Sequence, residues 1–327
     1  MSRKKKNPYD KLELLASIDT VSIKTTDDFI IPAQTQDGRP FKGAKLVGRD
    51  NRSETPIIKL NVNTYAGREL YNLDEYMNNL QLMLEDMHIQ NYWYSRVDIR
   101  FDSFLYSWDD LAKLNRLIIH IDYFIHVRPD LAEPGALRGN AYKSLDNWYE
   151  FELDDTYRRD SAQIEHYNKL LDEPTGSVKS RLEVRTTRIA APSSTNPFSL
   201  DSATRARVEG WKNAFRGYAF SFEDMLRAKN TALIWKYENN RDVYNSPADF
   251  IQKHVGSIWT KAQLDELYAM MGVNDPQKAR RNFVNRHRGL LTFVEIKDFQ
   301  LYIDYLCSRL DSFQNSQNDS QVSQNAA

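Results

Sequence analysis

Three short segments of the chain mix carboxylates, cations and a tyrosine at a spacing of two. Arg96-Val97-Asp98-Ile99-Arg100-Phe101-Asp102 alternates strictly between charged and apolar residues. Side chains on a β-strand point alternately to opposite faces, so Val97, Ile99 and Phe101 share one face and Arg96, Asp98, Arg100 and Asp102 the other. The same rule groups Glu165, Tyr167 and Lys169 within Gln163-Ile164-Glu165-His166-Tyr167-Asn168-Lys169. In Arg181-Leu182-Glu183-Val184-Arg185 it buries Leu182 and Val184 and presents Arg181, Glu183 and Arg185 together. If the three segments are neighbours in one sheet, a single surface carries Asp98, Asp102, Glu165 and Glu183 beside a tyrosine and several cations. Crowded carboxylates repel unless lysine, arginine or a divalent metal offsets them. Hard cations such as Mg²⁺ take oxygen ligands. A cation held beside a tyrosine polarises a phosphodiester and lets the phenolate attack phosphorus, which is strand-nicking chemistry. An antiparallel sheet with one wet face shows the same alternation, its charges pairing across strands, and the pattern by itself supports both readings.

A second constellation lies near the C-terminal end. Thr260 caps a helix whose apolar residues Leu264, Leu267, Tyr268 and Met271 share a face, and Gly272 supplies a residue able to take positive φ at its end. Asn274 or Asp275 caps the next helix, with Pro276 in its first turn. That helix carries Lys278, Arg280, Arg281, Arg286 and Arg288 with no acid between them, and Ala279, Phe283 and Val284 form its apolar side. Asn282 and Asn285 can hydrogen-bond base edges while the arginines take phosphate or guanine. Two helices joined by a short glycine turn, the second basic, fit a helix-turn-helix reader of DNA. A solvated basic helix is the plainer alternative.

The elements that position these residues follow from periodicity. Residues 18–23, 57–62 and 95–102 alternate as strands, and residues 27–56 read as a loop or irregular hairpin. Leu73, Met77, Leu80, Leu84 and Met87 recur at helical spacing. Ser107 is a plausible cap for another helix. Residues 140–188 suggest three or four antiparallel strands, residues 191–197 a loop or linker, and everything after Phe198 helix, with Thr292–Ile296 a short wing strand or a further helix. The fold class expected is α+β: a mostly antiparallel sheet with helices on one face, followed by a helical domain with a helix-turn-helix-like element. The division is a basic tail at 1–14, an α+β domain at 15–190, a linker and helix at 191–220, a helical domain at 221–311, and a Ser/Gln/Asn-rich disordered tail at 312–327.

Composition narrows the class further. The formal net charge of −1 argues against a protein coated in positive charge, but a local basic patch suffices to neutralise phosphates. A single cysteine, Cys307, cannot form an internal disulfide and sits in an apolar stretch, where it reads as a small core residue in a reducing, cytoplasmic setting. No apolar run is long enough to span a membrane. The basic run Arg3-Lys4-Lys5-Lys6 is a solubilising tail or an arm that touches phosphate. His120 and His126, six residues apart, lack the His-hydrophobic-His triplet of one large class of nickases and read as structural.

Arg96–Asp102 resembles the Arg-x-Asp-x-x-x-Asp strand of plasmid rolling-circle replication initiators of the Rep_trans or replication-initiation-factor type, a group that includes relaxases of some integrative elements. His166-Tyr167-Asn168-Lys169 is similar to that family's Tyr-(Asp/Glu/Asn)-Lys element, and Arg181–Arg185 resembles its later Arg-hydrophobic-Glu strand. The resemblance covers residues 15–190 and implies a DNA strand nicking-closing endonuclease acting at a replication origin. It implies Tyr167 as nucleophile, Lys169 as support for the phosphate or phenolate, and Asp98, Asp102 and Glu183 as ligands of Mg²⁺ or Mn²⁺ or their supports. Double- and single-stranded origin DNA, a host helicase and a second copy of the chain are the partners it suggests. The glycine-rich stretch usual before the tyrosine strand is replaced here by Tyr142-Lys143-Ser144-Leu145-Asp146-Asn147, and Tyr149 and Tyr157 are rival nucleophiles. A DNA-binding initiator or regulator without catalysis is the alternative.

Overall fold

The computed structural model describes residues 7–51, 53–106, 108–127, 156–159, 162–172, 176–187, 200–254 and 258–315. Its architecture is α+β, as the periodicities imply. The larger sheet has seven strands in the order β2-β3-β1-β4-β7-β6-β5, each antiparallel to its neighbour. They are β1 (Leu15–Thr25), β2 (Ala44–Arg49), β3 (Pro56–Leu60), β4 (Tyr92–Ser103), β5 (Thr156–Arg159), β6 (Ala162–Asn168) and β7 (Ser180–Thr187). The helices are α1 (Val62–Ala66), α2 (Leu73–Asp86), α3 (Trp108–Val127), α4 (Lys169–Asp172), α5 (Leu200–Asn239), α6 (Pro247–His254), α7 (Lys261–Met270), α8 (Pro276–Arg286) and α9 (Ile296–Gln314). Ser107, Tyr149, the stretch at 142–147 and the loop at 191–197 lie outside the described residues. Among the described residues no helix is long and apolar enough to cross a membrane.

The chain divides into two compact units, each assembled from separated stretches. Met1–Trp108, Thr156–Asn213 and Tyr305–Ala327 form the sheet unit; Asp109–Asp155 and Ala214–Asp304 form the helical unit. One division between the units, at Asn213/Ala214, lies inside the expected 191–220 stretch but within α5, which runs unbroken for 40 residues. Periodicity reports that a helix has an apolar face, not which core receives it.

In the sheet unit the alternation does what the sequence leads one to expect. Ile18, Val21 and Ile23 of β1, Val97, Ile99 and Phe101 of β4, Ile164 of β6, and Leu182 and Val184 of β7 are all buried. Each such side chain contributes about 1.5–3 kcal/mol relative to exposure. The first turns of α5 meet this apolar face, where Tyr94 bonds Thr204 at 2.9 Å and Trp211 donates to Thr186 at 2.9 Å. Helix α2 starts on Asn72, whose side chain accepts from the Glu75 amide. It ends with His88 in the left-handed region at φ 60, a position glycine usually fills. Strand β2 forms within the stretch expected as loop or irregular hairpin; its mixed, exposed residues carry no period-two signal. It is anchored at Gly43, where φ is +96 and an added Cβ would lie 2.4 Å from the Asn61 carbonyl oxygen.

The helical unit packs Phe222 edge-on against Phe299, and Tyr218 and Tyr302 hydrogen-bond Asp122 and Asn115. Two short strands, β8 (Ile258–Trp259) and β9 (Thr292–Phe293), pair in parallel on either side of the α7–α8 helices. Thr292–Ile296 is thus strand first, then the start of α9. The fully buried Lys229 lies 4.3 Å above the ring of Trp259. Burial pulls its ammonium down to about 7 from an ordinary 10.5. The unfolded chain therefore binds this proton more tightly than the native chain, and native stability rises as pH climbs from about 7 towards 10.5. Lys229→Met is expected to flatten that rise by an amount on the order of a few kcal/mol in denaturant titrations at the two ends of the window. Parallel pH profiles for the variant and the parent protein would sink this assignment.

Candidate functional site

The polar face of the sheet unit is built on the pairing of β4 with β7. Asp98 lies opposite Arg185, Arg100 opposite Glu183 and Asp102 opposite Arg181, so three successive cross-strand pairs on this face combine opposite charges and alternate in direction. Strand β6 extends the face, with Glu165 opposite Glu183 and Tyr167 opposite Arg181. The adjacency assumed for the three charged segments is therefore present.

Strand β1 enters the face through a bulge. Ile18 pairs with Ile99 and Val21 with Val97, leaving Asp19 and Thr20 opposite the single residue Asp98. A bulge re-aims side chains, and here both extra residues serve the polar face. Thr20 donates to Asp98 at 2.6 Å, and Asp19 accepts from Arg100 at 3.0 Å and Arg181 at 2.7 Å. The segment after α1 covers the inner end: Glu69 pairs with Arg100, and Tyr71 donates to Asp102 at 3.2 Å. Asp98 and Asp102 have no exposed surface, and Arg100 and Arg181 have almost none. Buried charges persist only when paired and hydrogen-bonded. Arg181 supplies Asp102 with a two-pronged contact at 2.6 and 3.1 Å, and Arg96 does the same for Asp98 at 2.7 and 2.6 Å.

Tyr167 sits at the more open end of the cluster, half-buried. Its hydroxyl donates to Glu183 at 3.2 Å and shares a hydrogen bond with Arg181. Burial pushes its phenol well above the usual range and the Glu183 charge adds to this, while Arg181 opposes it. Glu183 is itself raised, because burial outweighs its 2.6 Å contact with Arg185. Asp19 goes the other way: burial favours the acid, but Arg100 and Arg181 together hold it below its ordinary value. Arg185 also reaches Glu165 at 2.8 Å, so one guanidinium separates two carboxylates that face each other across strands.

The expected catalytic and metal residues are thus only partly assembled. Tyr167 and Glu183 meet. Lys169 leaves the strand, which ends at Asn168, and opens α4; its charge still acts on Asp19. Asp98 and Asp102 share a face but lie four residues apart on one strand, about 13 Å by strand rise, with Arg100 between them. Each is occupied by its own arginine. Among the described residues no three His, Cys, Asp or Glu side chains gather around one metal-sized site. Asp98, Asp102 and Glu183 as arranged do not fit a single divalent ion. Of the rival nucleophiles, Tyr157 lies on β5 opposite Ile164, out of register with the polar residues of β6, and Tyr149 lies outside the described residues.

The second candidate surface is α7–α8. Thr260 accepts from the Gln263 amide to cap α7. At its end Gly272 takes φ 80, its amide bonds Ala269 and that of Val273 bonds Tyr268, the paired bonds of a Schellman stop. Asp275 caps α8 through the Lys278 amide, with Pro276 next. Lys278, Arg281, Asn282, Asn285 and Arg286 are exposed at helical spacing and form one stripe, while Phe283 is buried. Arg288 is exposed just beyond the helix end. Arg280 departs from expectation, being bound to Asp265 of α7 at 2.7 and 3.2 Å. It ties the two helices together rather than joining the basic stripe.

None of the protein-family models, curated proteins or solved structures compared with the chain matches it. The polar cluster makes a stability prediction of its own. Arg181→Ala removes the two-pronged partner of Asp102 and leaves Arg100 alone against both Asp102 and Asp19, and the expected cost is about 3–5 kcal/mol. Replacing Arg181 by Met and Asp102 by Leu together should recover most of it. Urea titration of the three proteins tests this, and a single variant as stable as the parent would show the pair to be dispensable.

Proposed function

We propose that this chain is a plasmid replication initiator that binds origin DNA through α8 and nicks one strand through Tyr167. The observation that carries the reading is the Tyr167 hydroxyl, held between a carboxylate of raised proton affinity and a buried guanidinium on a face lined by charge. In that arrangement Glu183 accepts the phenolic proton as Tyr167 Oη attacks the phosphorus. The bond from phosphorus to the 3′ oxygen breaks, the leaving oxygen takes a proton from water, and a 5′ phosphotyrosine linkage remains. Arg181, with Lys169 nearby, offsets charge on the phosphoryl group. Origin recognition is assigned to Lys278, Arg281, Asn282, Asn285, Arg286 and Arg288; the plasmid setting, a cytoplasmic location, a host helicase and a second copy of the chain belong to the same reading. A DNA-binding initiator without catalysis is the second reading. It is favoured by the saturation of Asp98 and Asp102 by arginine, an arrangement sufficient for a structural sheet face.

Supercoiled plasmid carrying the cognate origin separates the two. The first reading expects an open-circular product with protein covalently attached, absent in Tyr167→Phe although that variant still binds DNA. Full nicking by Tyr167→Phe would eliminate Tyr167. Because Glu183 must be ionised to accept the proton, activity should rise with pH through a limb above the ordinary carboxylate value of 4.5, and Glu183→Gln should lose that limb together with the activity.

Duplex binding has a separate signature. The double variant Arg281→Ala/Arg286→Ala should weaken binding to origin duplex and lower the slope of log affinity against log salt by about 1.8. Arg280→Ala should instead lower the melting temperature. Unchanged duplex affinity and slope in the double variant would remove α8 from the interface.

A further inference from the structure

The polar face does not end at Asp98. One row runs straight across the sheet from Lys45 of β2 to Lys59 of β3, Ser22 of β1 and Arg96 of β4. Two residues further along β1, Lys24 lies opposite Trp93, which is half-buried on the same face. Lys45 and Lys59 are both exposed and directly opposed. Like charges in that position destabilise a sheet, and the β4–β7 half of the same face avoids them at three successive positions. Among the described residues no carboxylate pairs with Lys42, Lys45 or Lys59, and Arg49 donates only to the Glu54 backbone carbonyl, at 3.0 Å. Among the described residues Lys24 of β1 pairs with Asp50 at this edge, at 2.5 Å. The uncompensated charge therefore calls for an anion from outside the chain.

The chemistry of that anion follows from its surroundings. Strand β2 is the sheet edge, and an exposed edge that carries Lys45 and Arg49 disfavours pairing with a further strand. The register shift between Leu46 and Gly48 further disturbs a pairing edge. A polyanion is favoured over another strand. An indole beside a row of lysines on a sheet face is the combination that holds unpaired nucleic acid, the cations following the phosphates and the ring stacking a base. A duplex keeps its bases stacked inside and cannot use the ring.

We propose that the outer half of the polar face, from Lys45 and Lys59 on β2 and β3 across to Trp93 on β4, is a track for single-stranded DNA that continues on the same face towards Tyr167. The direction of the track rests on the nicking reading; the track itself does not. Lys45 and Arg96 lie three strands apart, about 14 Å, so the row spans a stretch of strand rather than one phosphate.

The test uses the full chain with a labelled oligothymidylate and a labelled duplex of equal length. Lys45→Ala/Lys59→Ala should weaken oligothymidylate binding and lower its salt slope by about 1.4, because each single-strand phosphate contact contributes roughly 0.7. Duplex binding should stay at the parent value. Trp93→Ala should lose about fivefold or more in oligothymidylate affinity without changing the slope, and Trp93→Phe should keep most of it. Unaltered oligothymidylate affinity and slope in the lysine double variant would overturn the track, as would equal losses for the oligothymidylate and the duplex. A parent protein that never nicks, yet shows these losses, would remove the nicking reading and leave the track standing. Nicking that persists while the double variant binds oligothymidylate normally would remove the track alone.

Discussion

The sheet unit turns on a two-pronged contact between Arg181 and Asp102, both almost wholly withdrawn from solvent. A carboxylate in that position is costly unless every oxygen is answered, and the fork of a guanidinium matches a carboxylate better than any lysine does. Arg181 spends its remaining nitrogen on Asp19, so one side chain links β7 to β4 and β1. Arg100 repeats the motif from the other side, joining Asp19, Asp102 and Glu69. The consequence concerns register as much as stability. Apolar alternation distinguishes only odd from even slips, since a shift of one residue turns every side chain to the wrong face. A shift of two restores the faces but would bring Asp98 opposite Glu183 and Arg100 opposite another arginine. The alternation of charge along β4 and β7 repeats every four residues and rules out that shift as well.

This constraint explains which features were legible in the residue order. Strict alternation exposed β4 and β7 and the existence of a charged face. The caps Thr260 and Asp275 and the stop at Gly272 exposed α7 and α8, because capping is local chemistry written in adjacent residues. The contributions of Asp19, Glu69 and Tyr71 were not legible. Asp19 reaches the face through a bulge, and its neighbours in an alternating run place it on neither face unambiguously. Glu69 and Tyr71 belong to a segment between helices that acquires its position only when the sheet forms. Lys169 looked like the next polar residue of β6, but the strand ends one residue before it and a helical turn begins. The continuity of α5 was hidden for a similar reason: its apolar residues serve two units, and no local signal marks the change.

Arginine is the residue whose meaning depends most on what lies across from it. Arg280 and Arg281 are adjacent in a run without acids, yet one is spent on Asp265 and the other is exposed on a stripe with Lys278 and Asn285. Sequence places both in the same basic patch; only the facing helix divides them. Arg185 and Lys59 make the same contrast on the sheet. Arg185 lies among Glu183, Glu165 and Asp98, and its charge is consumed in keeping carboxylates apart. Lys59 faces Lys45 across the edge ribbon, and its charge is left to the solvent.

That division has a consequence for how such a face could handle a nucleic acid. A phosphate approaching the inner cluster meets the carboxylates of Asp19, Glu69, Asp98, Asp102, Glu165 and Glu183 shared among only Arg96, Arg100, Arg181 and Arg185, so on the proposed reading the cluster offers no long-range attraction and would act only at contact distance, where Tyr167, Glu183 and Arg181 lie. Long-range attraction has to come from unmatched charge, which falls off over about 8 Å at physiological salt. Lys45, Lys59 and the stripe on α8 carry such charge. On the nicking reading, a centre without net positive charge and uncompensated cations outside it would separate holding a polyanion from reacting with it: salt would weaken the first through screening, and pH would govern the second through the raised proton affinities of Tyr167 and Glu183.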